Sequence, residues 1–188
     1  MKVVIDGNIG SGKTTQLNKL ESAGLPVRRE PIEKWPLDLY YSDPVRWGFL
    51  FQMIILQTLK CENGFMIYER SPISSRDVFW EIMEKTDIED AVYRKEFDDR
   101  AWYPDVYILI DKAPETCYEH LCTRDQAGDS GVTYEYLKQV GDQYEKMFKK
   151  LTCVKYKIDG NQPIDTVYSE ILNVIKKHND MFSYNVNR

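Results

Sequence analysis

The 188-residue chain is 43% hydrophobic and 29% charged, an ordinary globular balance with enough residues for one full core. Its net charge of −5 offers no broad basic surface to duplex nucleic acid or an anionic membrane, and no apolar run is long enough to span a bilayer.

In chain order, KVVID (2–6) reads as a buried strand, and TTQLNKLES (14–22) as a helix closed by Gly24. GLPV then starts a short strand that RREP ends, because Pro31 cannot continue as a central strand. Glu30 therefore falls at a strand's carboxyl end, where open α/β sheets place their ligands; taken alone it is a solvated loop charge. Helical patterns follow at 44–61, 72–85, 88–101, 114–123, 133–151 and 163–178, separated by the strands FMIYE (65–69), DVYILI (105–110) and CVKYKID (153–159). Pro44, Pro114 and Pro163 suit first-turn positions, where a missing N–H does no harm. The last ten residues read as a loosely held tail. Strands separated by helices predict an α/β three-layer sandwich: a central, mainly parallel sheet of about five strands with helices on both faces. No repeat or linker divides the chain, so 1–188 reads as one domain.

The four cysteines (Cys61, Cys117, Cys122, Cys153) form no CxxC pair and no metal-ligand spacing with the two histidines, His120 and His178. The opening MKVVIDGNIG has too short an apolar run for a signal peptide. Free thiols in a reducing, cytoplasmic setting are expected.

Directly after the first strand, GNIGSGKT (7–14) matches G-x-x-x-x-G-K-[ST] in strand–loop–helix context. Gly7, Gly10 and Gly12 let backbone N–H groups curl around phosphate oxygens, with Asn8, Ile9 and Ser11 between them. The helix opening near Lys13 points its positive end at the same anion, Lys13 adds a mobile charge, and the Thr14 hydroxyl can ligate Mg²⁺; Thr15 follows in the first turn. The motif predicts ATP and Mg²⁺ but says nothing of the acceptor. No Asn-Lys-x-Asp of a GTPase accompanies it.

FMIYE runs into ERSPISSRDVF (69–79). An acid at Glu69 can hold Mg²⁺ and an arginine at Arg70 can steady a transferring phosphoryl group, the plain alternative being a strand-terminal ion pair. GNIGSGKTT, EPIEKW, FQ (51–52) and ERS (69–71), in this order and spacing, resemble the deoxynucleoside kinase family over nearly the whole chain, to about residue 150. The resemblance implies phosphorylation of a deoxynucleoside 5′-hydroxyl from ATP, with Glu30 as general base, a role the chemistry asks of a carboxylate within reach of that hydroxyl. It also implies Gln52 as the two-point partner of the base, Trp35 and Phe79 enclosing it, and Tyr41 on the 3′-hydroxyl. Glu69 resembles the Mg²⁺-associated acid, and Arg70 the arginine that meets Glu30 and the 5′ end. Members preferring deoxycytidine carry an Arg–Asp pair near the base 5-position; Leu59 and Ser75 stand there, with Ile55 nearby. An uncharged wall leaves room for a methyl, which favours a pyrimidine, thymidine first. A homodimer packed through helices in 44–100 is implied too.

The family's arginine-rich lid is thinned in HLCTRDQAGDSG (120–131). His120, Cys122 and Gln126 stand where arginines are usual; Arg124 remains as the candidate catalytic arginine, and Asp129, one methylene shorter, stands where an acid that touches the 3′-hydroxyl is expected. Gly128 and Gly131 read as a mobile loop. Asp111, ending YILID, fits either a Mg²⁺ acid or a helix cap. Two other readings stay open: a thymidylate kinase, which shares the loop and REP but follows it with Gly-Gly-Thr, and a catalytically weak nucleotide-binding subunit, which the thin lid would fit.

Overall fold

The structure is a computed structural model and describes residues 1–124 and 131–179. Five strands, β1 (Lys2–Gly7), β2 (Val27–Arg28), β3 (Met66–Glu69), β4 (Val106–Asp111) and β5 (Val154–Asp159), pair in the order β2-β3-β1-β4-β5. Every pairing is parallel, with Val3 opposite Ile67 and Val106, and Ile5 opposite Glu69 and Ile108. Parallel strands need helical crossovers, here α1 (Lys13–Ser22), α2 (Leu37–Ser42), α3 (Pro44–Thr58), α4 (Pro72–Ser74), α5 (Asp87–Arg100), α6 (Pro114–Arg124), α7 (Tyr134–Lys150) and α8 (Ile164–His178).

At its centre the sheet is covered on both faces, which is why β1, β3 and β4 read as apolar runs. Val3, Ile5 and Ile108 point to one side, against Leu17 and Leu20 of α1 and Ile171 and Ile175 of α8. Val4, Tyr68 and Tyr107 point to the other, against Val140, Tyr144 and Met147 of α7. A separate cluster of Leu56, Trp80, Tyr93 and Phe97 ties α3 and α5 to the chain after β3. This is the three-layer architecture expected from the order of elements.

Local chemistry sets the boundaries. Asp43 caps α3 by accepting from the Arg46 amide, with Pro44 in the first turn. Thr86 and Glu89 form a reciprocal capping box on α5. Three expectations need correction. The helix predicted over 44–61 stops at Thr58, where the Leu59 carbonyl turns to accept from the Trp102 indole. The one predicted over 72–85 ends at residue 82, because the Lys85 ammonium takes the carbonyls of Trp80 and Met83 at 2.8 and 3.1 Å. Within it, residues Ser75–Trp80 are π-helical. Pro163 precedes α8 as its cap instead of opening it. The 3₁₀ turn Ile32–Lys34 and α2 were not expected; each follows a proline, Pro31 and Pro36. The predicted tail falls outside the described residues from 180 onward.

Candidate active site

The loop 7–14 leaves β1 in the middle of the sheet and enters α1. Asn8 anchors it to α7, donating 2.8 Å to the Leu137 carbonyl. On the other side it runs flush against α6. Gly10 has φ 80°, and a Cβ there would stand 2.5 Å from the Cys117 carbonyl oxygen, so only glycine fits. His120, in a position where the resemblance calls for arginine, reaches from α6 to the Gly10 carbonyl with Nδ1 3.0 Å away. The Lys13 ammonium folds over the loop, donating to the carbonyls of Gly7 (3.0 Å) and Asn8 (2.9 Å). Burial, reinforced by the Arg70 charge, lowers it to about 8. The Ser11 hydroxyl is buried with no hydrogen-bond partner among the described residues, an orphaned donor inside an anion cradle. Thr14 and Thr15 lie exposed in the first turn of α1.

Glu30 and Arg70 meet at the edge of this cradle. The Glu30 side chain is only 9% exposed and Arg70 10%, with Arg70 Nε 3.0 Å from Glu30 Oε1. That N–H is not aimed well enough for a hydrogen bond, so the pair is held by charge and the carboxylate's lone pairs are left for another donor. Burial pushes the Glu30 carboxyl up to about 7 against the pull of Arg70. Burial alone would lower the Arg70 guanidinium; the charges of Glu30, Asp6 and Glu69 outweigh it and hold it above its ordinary value.

Arg70 has φ 61°, the one non-glycine residue with positive φ among those described. Its strain is offset on three sides: the amide donates to Ile5 of β1, the guanidinium lies 4.6 Å over the Phe79 ring, and Nη1 donates 2.8 Å to the Tyr144 hydroxyl. Tyr144 in turn donates 2.6 Å to Asp6, which also accepts from Tyr107 at 2.7 Å and from the Gly7 amide at 2.8 Å. Burial, with the Asp6 charge beside them, holds both phenols well above their usual range.

A cavity opens beyond Glu30 and Arg70. Trp35, Tyr41, Gln52 and Phe79 line it, as do Ile55, Leu59 and Ser75, so nine of the ten predicted acceptor-side residues share one wall. The tenth, Asp129, lies outside the described residues, as does the Arg124 side chain with Gln126 and Gly128. Trp35 is fixed by its indole N–H, 2.9 Å from the Thr58 hydroxyl, and Tyr40 stacks on Phe51 with ring centroids 4.4 Å apart. Gly131 passes so close to Tyr41 that a Cβ would fall 2.5 Å from the ring. Ile9 belongs to this cavity as well as to the loop.

Sequence reasoning missed Tyr40, Phe51, Ser71, Ser74 and Tyr136 in the cavity, and the Asp6–Tyr107–Tyr144 group behind it. Only Asp6 carried a signal: it is the acid that closes the apolar run directly before the glycine-rich loop. Asp111 is exposed, and its carboxylate pairs with Lys157 of β5 at 3.4 Å; the amide it might have capped, that of Ala113, is met by Asn161. Glu69 is 7% exposed at the end of β3. Among the described residues no cluster of three or more His, Cys, Asp or Glu offers a metal cage, and no helix is long and apolar enough to cross a membrane.

The comparisons with known proteins fit this geometry. Human mitochondrial thymidine kinase 2 is 28% identical over 173 residues, covering 79% of this chain and 64% of its own length. The mitochondrial deoxyguanosine kinase of Xenopus laevis is 27% identical over 210 residues, covering 87% of this chain and 79% of its own. The structure of deoxyadenosine kinase from M. mycoides with bound dCTP superposes with a TM-score of 0.81 at 20% identity, over 94% of this chain and all of that one, which shows the shared fold. The sequence profile of the deoxynucleoside kinase family matches residues 3–182. The chain belongs to the deoxynucleoside kinase family.

Proposed function

We propose that the protein transfers the γ-phosphoryl group of ATP to the 5′-hydroxyl of a pyrimidine deoxynucleoside, thymidine ahead of deoxycytidine. The observation that carries this reading is the place of Glu30: a buried carboxyl raised to about 7, standing between a phosphate loop and an aromatic cavity. A base poised near the working pH accepts a proton most effectively.

The triphosphate lies on loop 7–14, where the orphaned Ser11 hydroxyl, the loop amides and Lys13 face it. Glu30 takes the 5′-hydroxyl proton as that oxygen bonds to the γ-phosphorus. The bond from phosphorus to the β–γ bridging oxygen breaks, and ADP leaves. Arg70, Lys13 and Arg124 stabilise the charge that spreads over the transferring group. Thr14 and Glu69 would hold a magnesium ion that arrives with the nucleotide, and that ion would neutralise phosphate charge. Trp35 and Phe79 flank the base, Gln52 reads its edge and Tyr41 meets the 3′-hydroxyl. Ile55 and Leu59 line the cavity without charge, which supports thymidine.

We place the protein in a reducing, cytoplasmic setting on its four unpaired cysteines, and read it as a homodimer through α3 and α5, where Val45, Leu50, Ile88 and Val92 are exposed. No nucleic-acid or membrane partner is proposed. The test is ADP release from MgATP with thymidine, deoxycytidine, deoxyadenosine, deoxyguanosine or thymidine monophosphate as acceptor. Turnover of nucleosides but not of the monophosphate is expected. Turnover of the monophosphate alone would make the protein a thymidylate kinase, and silence with all five would leave a nucleotide-binding subunit.

A further inference from the structure

Gln52 is 2% exposed, and its amide carbonyl is already engaged. The Ser75 hydroxyl donates to Gln52 Oε1 over 2.9 Å, and Ser75 Oγ lies a further 2.9 Å from the hydroxyl of Tyr93. Tyr93 belongs to α5, does not line the cavity, and is fully buried with its ring stacked 4.2 Å from Trp80. The three groups form a chain leading from the core to the amide that faces the base.

The direction of such a chain is set by donor and acceptor strength. A phenol is a better donor than an aliphatic hydroxyl and a poorer acceptor. Running Tyr93 O–H to Ser75 Oγ, and Ser75 O–H to the Gln52 carbonyl, places the strongest donor first and the strongest acceptor last. The reverse chain would start from a Gln52 N–H and end on the phenol oxygen, the weakest acceptor present. Gln52 still keeps one carbonyl lone pair and an N–H for a ligand.

We propose that Tyr93 and Ser75 lock the orientation of the Gln52 amide and thereby set the choice between a keto-edged and an amino-edged base. Thymine offers a donor at N3 and an acceptor at O4, whereas cytosine offers an acceptor at N3 and a donor at N4. An amide that matches one order must turn over to match the other, and turning over breaks the chain to Tyr93. Ser75 and Tyr93 act through Gln52 and are positioning residues. Their contribution adds to the size and polarity of the cavity walls. It rests on the reading of the cavity as a deoxynucleoside site.

Equilibrium binding of thymidine and of deoxycytidine, measured by calorimetry without ATP, tests this directly. The ratio of the two dissociation constants is unaffected by the fraction of protein that folds. Tyr93→Phe keeps the stacked ring and removes only the donor, leaving Ser75 free to donate or accept. The ratio is expected to move toward unity by about tenfold, the weight of one hydrogen bond. Ser75→Ala, which removes the link itself, should move it the same way, and kcat/KM ratios should follow both. A wild-type ratio already at unity, or variant ratios equal to a selective wild type's, would overturn the lock while leaving the kinase reading in place. Failure of both nucleosides to bind the wild type would overturn the pyrimidine-kinase reading and the lock together.

Discussion

The Tyr144 hydroxyl donates to Asp6 over 2.6 Å and accepts from Arg70 over 2.8 Å, so the acid near the end of β1 supports the arginine beside Glu30 through one phenol. The phosphate loop and Arg70 thus share one buried hydrogen-bonded frame, to which charge ties Glu30. Tyr144→Phe keeps the ring and removes the link. We expect kcat to fall about tenfold with nucleoside KM within about twofold, and unfolding to be easier by about 1–2 kcal/mol. Steady-state kinetics and denaturant unfolding check the two together.

Glu30→Gln should lower kcat by about 10²–10⁴-fold, the range of a lost general base, with a much smaller change in nucleoside affinity. Wild-type turnover in this variant would remove Glu30 from the mechanism.

The pH dependence follows from the same carboxyl. As the proposed general base Glu30 would act ionised, so kcat/KM should rise through about pH 7 and fall again through about pH 8 as Lys13 loses its proton. Stability has the opposite sign on the acid side. The folded protein holds the Glu30 proton more tightly than the unfolded chain, whose value is 4.5, so this group's contribution is complete at low pH and is lost as pH rises toward 7. A rate profile and unfolding curves between pH 4 and 9 read both effects.

His120→Ala frees the Gly10 carbonyl from α6. Loop geometry then rests on Asn8 alone among these side-chain anchors, and we expect KM for ATP to rise roughly threefold to tenfold, the weight of one hydrogen bond, with thymidine KM unchanged.

Gly131→Ala would drive a methyl into the Tyr41 ring, 2.5 Å away. Displacing Tyr41 should raise nucleoside KM by about tenfold. A 3′-deoxy analogue, lacking the group Tyr41 would hold, should lose far less in the variant.

Leu50→Asp puts a charge on the exposed apolar strip of α3. Sedimentation should show the wild type as a dimer and the variant as a monomer; two monomers would remove the dimer from the account.

The order of elements was legible because the sheet is buried on both faces, so KVVID, FMIYE and DVYILI stand out as apolar runs between helical patterns. The acceptor cavity was legible only through short motifs: nothing in the periodicity says that Gln52 of α3 and Ser75, 23 positions later, share a hydrogen bond. The Asp6–Tyr144 contact joins residues 138 apart, and isolated tyrosines in a chain with 13 give no cue to such a pairing. The π-helical segment at Ser75–Trp80 was hidden for a related reason: its sequence fits an ordinary helix, and the contacts at its two ends, Ser75 on Gln52 and Trp80 on Tyr93, join residues far apart in the chain.

The sheet also divides mechanical stiffness between the two halves of the reaction. The phosphate loop is rooted in β1, flanked by β3 and β4, whereas Glu30 follows β2, an edge strand of two residues whose ladder pairs are Val27–Ile67 and Arg28–Tyr68. Amide exchange should therefore be slowest around Val4 and Ile5 and fastest, among the strands, at Val27 and Arg28. Such a pattern would give the proposed donor side a rigid foundation and set the proposed proton acceptor on the part of the sheet that opens first.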